Sequence, residues 1–317
     1  MPRRLATIDL GTNTVRYLLV EVDGTTPWRV IDQDQRVTRL GEGLAASGRL
    51  GEAPMTRTAD AVRVYVERAR RLDASEVRVV ATSAVREAAN GRAFGDRVQT
   101  STGIPVTIVS GEDEARLTIR GVLAGLRSLT GSLLVFDIGG GSTELGWLRL
   151  RSGRPPQILD TLSIPFGVVN LTERYGGSRI APEVYDAMVA EVAANLRHFA
   201  EANGINQRVA AGAVQMLGTS GTVTTLAGVH LGLERYNRAL IDGCYLDFPS
   251  IRAVSRQLAA MTCEERTASP CIGPERADLV VAGCAILEAI CGLWPVGRLR
   301  VADRGVREGI LVELMQG

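Results

Sequence analysis

Short apolar runs that end in an acid and a small-residue turn recur along the chain. Leu5–Asp9 reads as a strand, Gly11-Thr12-Asn13-Thr14 as its turn, and Val15–Val22 as a returning strand. Asp23-Gly24 then leads into a third strand near Trp28–Gln35. The pattern comes back as Leu133–Asp137, the turn Gly139-Gly140-Gly141-Ser142-Thr143, a strand over Glu144–Leu150, the turn Ser152-Gly153 and a strand near Gln157–Ser163. Asp137 follows Asp9 by 128 residues, which is too long for a solenoid period. The repeat predicts a duplicated domain, with the two copies facing each other across a cleft.

Helices and strands alternate between and after the copies. Met55, Ala59, Val62, Val66, Ala69 and Leu72 recur at helical spacing, Val77–Ala81 and Val106–Val109 read as buried strands, and Ser83 and Ser110 are placed to cap helices. Ala115, Ile119, Val122 and Leu126 form the apolar face of the helix after Ser110. The second half predicts a helix near Pro182–Asn203, a strand near Ala213–Leu217, a long helix from about Arg276 to Cys291, a strand near Arg298–Ala302 and a last helix. This is the alternation of an α/β protein. It divides as residues 1–128 and 129–317, with the last helix free to pack back on the first domain. The pattern is weakest between Gly232 and Pro274.

Composition narrows the function. A chain of 317 residues holds about two domains and buries enough surface to fold without disulfide or metal staples. With 36 positive and 35 negative charges the net charge is +1, so no basic excess calls for nucleic acid. Aromatics at 4% weaken any base-stacking platform. All 36 positive charges are arginine, which excludes a Walker A loop and lysine-based catalysis. Arginine is also suited to gripping phosphate oxygens in pairs. Cys244, Cys263, Cys271, Cys284 and Cys291 form no CxxC pattern, so buried, reduced thiols are expected. His198 and His230 cannot build a histidine-rich metal centre. The longest apolar run, Leu279–Trp294, carries Glu288 and is too short to span a bilayer; core is the better reading of it than interface. A soluble, cytoplasmic protein is expected.

Three loops carry candidate chemistry. In Asp9-Leu10-Gly11-Thr12-Asn13, with Arg16 beyond it, small residues let backbone amides approach a phosphate. Gly139, Gly140 and Gly141 cost more backbone entropy than a hairpin turn requires, which suggests that a ligand lies against bare backbone. Asp137 and Glu144 flank that loop, and carboxylates beside phosphate call for a divalent cation such as Mg²⁺. Gly218-Thr219-Ser220-Gly221-Thr222 repeats the small-residue pattern a third time. Near them, Ser110-Gly111-Glu112-Asp113-Glu114 crowds three acids. Capping and the helix dipole explain two; mutual repulsion raises carboxyl pKa values and suits one of the three to general base work. Arg86, after a strand and near a helix start, is a candidate anion ligand, or an exposed arginine paired with Glu87 or Glu42.

These segments, with Thr82–Asn90, Arg276-Ala277-Asp278 and Asp303–Gly309, resemble the successive signatures of the exopolyphosphatase/guanosine pentaphosphate phosphohydrolase family. That family belongs to the actin-like, sugar-kinase-like superfamily with duplicated ribonuclease-H-like domains, and the resemblance runs from residue 9 to residue 309. It implies hydrolysis of a terminal phosphoanhydride with Mg²⁺. It places the catalytic base on Glu114, preceded by Asp113 where the family has a glutamate, and the metal carboxylates on Asp137 and Glu144. Phosphate-loop contacts fall on Gly11, Thr12, Asn13, Gly139, Gly140, Gly141, Ser142 and Thr143, and the family arginine on Arg86. Arg16, Gly218, Ser220 and Gly221 join the expected substrate contacts. The chain resembles the short, two-domain form, which implies shorter polyphosphate chains; the family resemblance implies a homodimer, and from composition no nucleic-acid or membrane partner is expected. Inorganic polyphosphate is the expected substrate and guanosine pentaphosphate the alternative. A sugar kinase or ATPase, and a non-catalytic alarmone-binding regulator in which Arg16, Arg276 and Arg307 bind the ligand, are the rival classes.

Overall fold

The computed structural model describes residues 2–24, 28–126 and 130–316. The chain forms two compact units: Met1–Gly125 with Arg304–Gly317, and Leu126–Asp303. The expected boundary between residues 128 and 129 lies outside the described residues. By its packing the stretch from Arg304 onward joins the first unit.

The first unit holds β1 (Arg3–Leu10), β2 (Thr14–Val22), β3 (Arg29–Val37), β4 (Glu76–Ala81) and β5 (Val106–Ile108), in the order β3-β2-β1-β4-β5. The first three strands pair antiparallel; β4 and β5 run parallel to β1. The second unit holds β6 (Gly131–Ile138), β7 (Thr143–Leu150), β8 (Gln157–Ile164), β9 (Val214–Thr219), β10 (Tyr245–Asp247) and β11 (Arg298–Ala302), in the order β10-β11-β9-β6-β7-β8. Apart from the added edge strand β10, this is the same order with the same directions. The α/β class and the duplicated ribonuclease-H-like topology are as the sequence predicts.

Strand β1 reads as nearly continuous apolar sequence because both its faces are covered. Ala6, Ile8 and Leu10 pack with Val62, Tyr65 and Val66 of the helix Glu52–Arg71. Leu5, on the opposite face, packs with Leu311 and Leu314 of the last helix, Val306–Gln316. That helix crosses the helix Gly111–Leu123 backbone to backbone: a Cβ on Gly121 would stand 1.9 Å from the Gly305 carbonyl oxygen, and one on Gly309 1.9 Å from that of Leu117. Glycine is the residue that such a crossing admits.

In the second unit the run Leu279–Trp294 is core. Its helix spans Val280–Leu293 and begins four residues later than the spacing predicts. Arg276 stays outside that helix and donates to Thr225 Oγ1 at 3.2 Å. Glu288, buried on the helix, is held by the Tyr185 hydroxyl at 2.9 Å and by Arg256 at 2.7 Å. The weakly patterned stretch contains the helices Arg238–Ile241, Phe248–Ala260 and Cys263–Thr267 beside β10. All five cysteines are free. Only Cys284 and Cys291 are buried, so the expectation of inner thiols holds for two; Cys244 and Cys263, at element ends, and Cys271, in a turn, are partly buried. Among the described residues, no helix is long and apolar enough to cross a membrane.

Candidate functional site

In an open α/β sheet, ligands bind beyond the carboxyl ends of the parallel strands. In the first unit those are the ends of β1, β4 and β5, and the predicted residues collect there. Thr82 N–H bonds the Leu10 carbonyl at 3.2 Å, and Val109 N–H bonds that of Ala81 at 3.1 Å. Ser110 caps the next helix, its Oγ accepting from Asp113 N–H at 3.1 Å. The three acids then part. Glu112 pairs with Arg116 at 2.6 Å, Asp113 accepts from the Ser110 hydroxyl at 2.7 Å, and both are exposed. Glu114 is buried, with 6% exposure, and accepts from Arg86 Nη1 at 2.8 Å. The expected crowding of three carboxylates is replaced by one inward acid beside one arginine, because successive helical residues point some 100° apart. Arg86 also donates to the Val109 carbonyl at 3.1 Å and lies 3.8 Å from Glu87; Glu42 pairs with Arg57 instead.

The first loop closes on itself. Gly11 N–H donates to the Thr14 carbonyl at 3.1 Å, and a Cβ on Gly11 would be 2.9 Å from that oxygen. Across the hairpin Asp9 pairs in register with Arg16, whose Nη1 is 3.4 Å from Asp9 Oδ2. Burial pushes the Asp9 carboxyl above its ordinary range, against the pull of Arg16 and Arg307 and with help from Glu308. Among the described residues, Asp9 Oδ1 and Asn13 Oδ1 are buried acceptors without a hydrogen-bond donor. Thr12 is buried, its carbonyl accepting from Gly41 N–H at 2.8 Å.

The second unit repeats this arrangement at the ends of β6, β9 and β11. Gly139 N–H donates to the Ser142 carbonyl at 2.9 Å, and Asp137 pairs in register with Glu144. Glu144 is buried, accepts from the Ser163 hydroxyl at 2.8 Å, and turns Oε2 to within 3.8 Å of a Cβ built on Gly139. Gly140 and Gly141 lie against the start of the helix Val168–Tyr175. A Cβ on Gly167 would stand 2.3 Å from the carbonyl of Gly140. Thr143, an expected phosphate-loop contact, is fully buried and its hydroxyl donates to the Phe166 carbonyl at 2.6 Å, fixing the hairpin. Gly218, an expected substrate contact, is closely packed too. It lies within β9, where a Cβ would meet the Phe136 ring at 2.6 Å, so its smallness serves packing.

Ser220 carries the backbone outlier of the third loop, with φ 113° and ψ 172°. That region is favourable for glycine alone and costs of order 1–3 kcal/mol otherwise. Ser220 Oγ accepts from Thr222 N–H at 3.2 Å, capping the helix Gly221–His230. A Cβ on Gly221 would lie 3.1 Å from Arg276 Nη1, so this arginine stands at the loop.

Among the described residues, no three acids, histidines or cysteines gather as a metal cage. Two carboxylates suffice for Mg²⁺, which keeps several waters and completes its shell with phosphate oxygens. The facing pair Asp137 and Glu144 fits that donor set. Two features escape sequence reasoning. Asp9 has a readable signal, since it precedes Asp137 by the repeat of 128 residues. Asn170, which reaches the glycine loop from the next helix, has none.

The chain is similar over nearly its whole length to known proteins. Exopolyphosphatase 2 of Mycobacterium tuberculosis is 29% identical over 98% of this chain and 98% of its own length. A crystal structure of an exopolyphosphatase-like protein aligns with TM-score 0.90 and 27% identity over 99% of this chain and 98% of that one. The Ppx/GppA member of Aquifex aeolicus aligns with TM-score 0.79 and 26% identity over 100% and 98%. Residues 19–317 match the Ppx/GppA phosphatase family, and with this span the chain belongs to that family and is a phosphoanhydride hydrolase.

Proposed function

We propose that this protein is an exopolyphosphatase that removes the terminal phosphate of inorganic polyphosphate, with short chains preferred. The observation that carries the reading is Glu114. It is a buried carboxylate in the first turn of a helix, beyond the carboxyl ends of the strands, oriented by Arg86 at 2.8 Å. The relative named exopolyphosphatase, matched over almost its whole length, supports the substrate class.

In this mechanism Glu114 takes a proton from the attacking water. The first unit offers Arg86, Arg16 and the backbone amides of Gly11–Asn13, and the second the amides of Gly139–Ser142 and Ser220–Gly221, as donors suited to negatively charged phosphoryl oxygens. Asp137 and Glu144 would hold Mg²⁺, which would supply charge neutralisation at phosphoryl oxygens. A homodimer in the cytoplasm completes the proposal, on the composition and the family resemblance.

Phosphate release from polyphosphates of graded length, and from guanosine pentaphosphate, tests the reading. Glu114→Gln is expected to lose about 10²–10⁴-fold in kcat while binding polyphosphate like the parent. Parent-like turnover in that variant would overturn the base. Rates that climb into chains of hundreds of units would overturn the length preference. Guanosine pentaphosphate has one feature of its own in favour: Tyr236 is half-exposed beside Arg238, its hydroxyl held by Asp303 at 2.6 Å, and offers a ring for stacking. Faster release from that substrate would make it the preferred one.

A further inference from the structure

The two hairpins correspond residue by residue at the constant offset of 128. Gly11 donates to Thr14 as Gly139 donates to Ser142, at 3.1 and 2.9 Å. Gly41 N–H donates to the Thr12 carbonyl at 2.8 Å; Val169, 128 residues later, donates to that of Gly140 at 2.7 Å. The correspondence breaks at the third carbonyl of the turn. The Asn13 carbonyl accepts from two backbone amides, Thr38 and Arg39, both at 3.0 Å. Its counterpart on Gly141 accepts from a side chain, Asn170 Nδ2, at 2.7 Å.

Asn170 makes three hydrogen bonds. Its Oδ1 accepts from Gly167 N–H at 2.8 Å, and its Nδ2 donates to the carbonyls of Gly141 and Pro165, the latter at 3.0 Å. The partners fix which end of the amide is which, since Gly167 offers it an N–H and the other two a carbonyl. The bond to Gly167 is ordinary helix capping. The bond to Gly141 reaches 29 residues back and caps nothing.

Its consequence lies on the other side of the peptide. Val168, Val169 and Asn170 occupy the carbonyls of Gly139, Gly140 and Gly141 in turn. In a trans peptide the N–H points opposite to the C=O. The N–H groups of Gly140, Gly141 and Ser142 are therefore aimed away from the helix, as in an anion-binding nest. Among the described residues they have no acceptor.

We propose that Asn170 is a positioning residue for the phosphate loop: its carboxamide locks the Gly141–Ser142 peptide so that the Ser142 N–H faces the phosphoryl group. This rests on the reading that the loop grips phosphate.

The test compares Asn170→Ala with Asn170→Asp, which still accepts from Gly167 but cannot donate to Gly141. Both are expected to lose about 10–100-fold in kcat on polyphosphate, as when supporting partners of a site are removed. KM should change less, and Asn170→Asp should melt near the parent temperature. Parent-like kcat in Asn170→Asp, or losses that only follow the folded fraction, would overturn the proposal. A second readout does not need turnover: inorganic pyrophosphate titrated into ¹⁵N-labelled protein should shift the Ser142 amide resonance in the parent and not in Asn170→Asp. Equal shifts in both, or none in the parent, also overturn it. If the parent releases no phosphate from polyphosphate yet the Ser142 shift depends on Asn170, the hydrolysis reading falls and the positioning role stands.

Discussion

In the first unit the residue that faces the strand-end aspartate is Arg16; in the second it is Glu144, at the same offset of 128. The turns between them are alike down to the hydrogen bond that closes them. One hairpin thus holds an acid against a base and the other an acid against an acid. The first sets a guanidinium beside its buried acid and leaves amides and part of that guanidinium for an anion. The second carries a charge excess that a divalent cation is suited to meet. Duplication supplied one scaffold, and a single cross-strand position sets the charge balance of each copy.

Exchanging the charge at that position is the strongest way to break the comparison. Glu144→Arg gives the second hairpin the charges of the first. A Lewis acid at a phosphoryl group contributes several kcal/mol, so activity should fall about 10³-fold. The remaining phosphate release should respond little to added Mg²⁺. An unchanged Mg²⁺ titration would remove Glu144 and its partner from the metal site.

The reverse change acts on stability. Arg16→Met leaves Asp9 buried without its cross-strand cation. An unpaired buried carboxylate costs about 1–3 kcal/mol, at the lower end because Arg16 is 34% exposed. Chemical denaturation reads this directly. A variant as stable as the parent would mean that Arg307 alone offsets the Asp9 charge.

Much of this contrast is legible in the sequence. The repeat, the strand-end acids and the glycine-rich turns are local patterns, and local hydrogen bonding realises them as drawn. What fails to show is whatever depends on a distant partner. Glu114 is set apart from Glu112 and Asp113 by its burial and by Arg86, which is 28 residues earlier. Gly218 looks like a loop glycine until the Phe136 ring closes on it. Thr143 reads as a phosphate ligand until the Phe166 carbonyl takes its hydroxyl.

The clamps on the two loops differ in what they tolerate. A methyl group on Gly167 would meet backbone atoms, 2.3 Å from the carbonyl of Gly140 and 2.4 Å from the Gly141 nitrogen. On Gly41 it would meet the Thr12 methyl at 2.3 Å, a side chain that can rotate. Gly167→Ala should therefore cost about 1–3 kcal/mol and disturb the loop, and Gly41→Ala less. Melting curves and phosphate release for the two variants sharpen the comparison; equal costs would show that the first loop is no more yielding than the second.

The smallest effect concerns Asp9, and its sign is fixed by burial. Desolvation favours the protonated carboxyl in the fold and raises its pKa above the ordinary 3.8. A raised acid binds more protons folded than unfolded, so its contribution is full below 3.8 and is lost as pH rises through the raised value. Asp9→Asn removes that loss. The variant should match the parent in acid and gain on it as pH rises from 3.8, reaching a plateau once the parent's Asp9 is ionised. Denaturation midpoints across that range measure the difference. A parent that gains on the variant with rising pH would mean that Arg16 and Arg307 outweigh burial, and that the first hairpin is a satisfied ion pair rather than a carboxylate held at a cost.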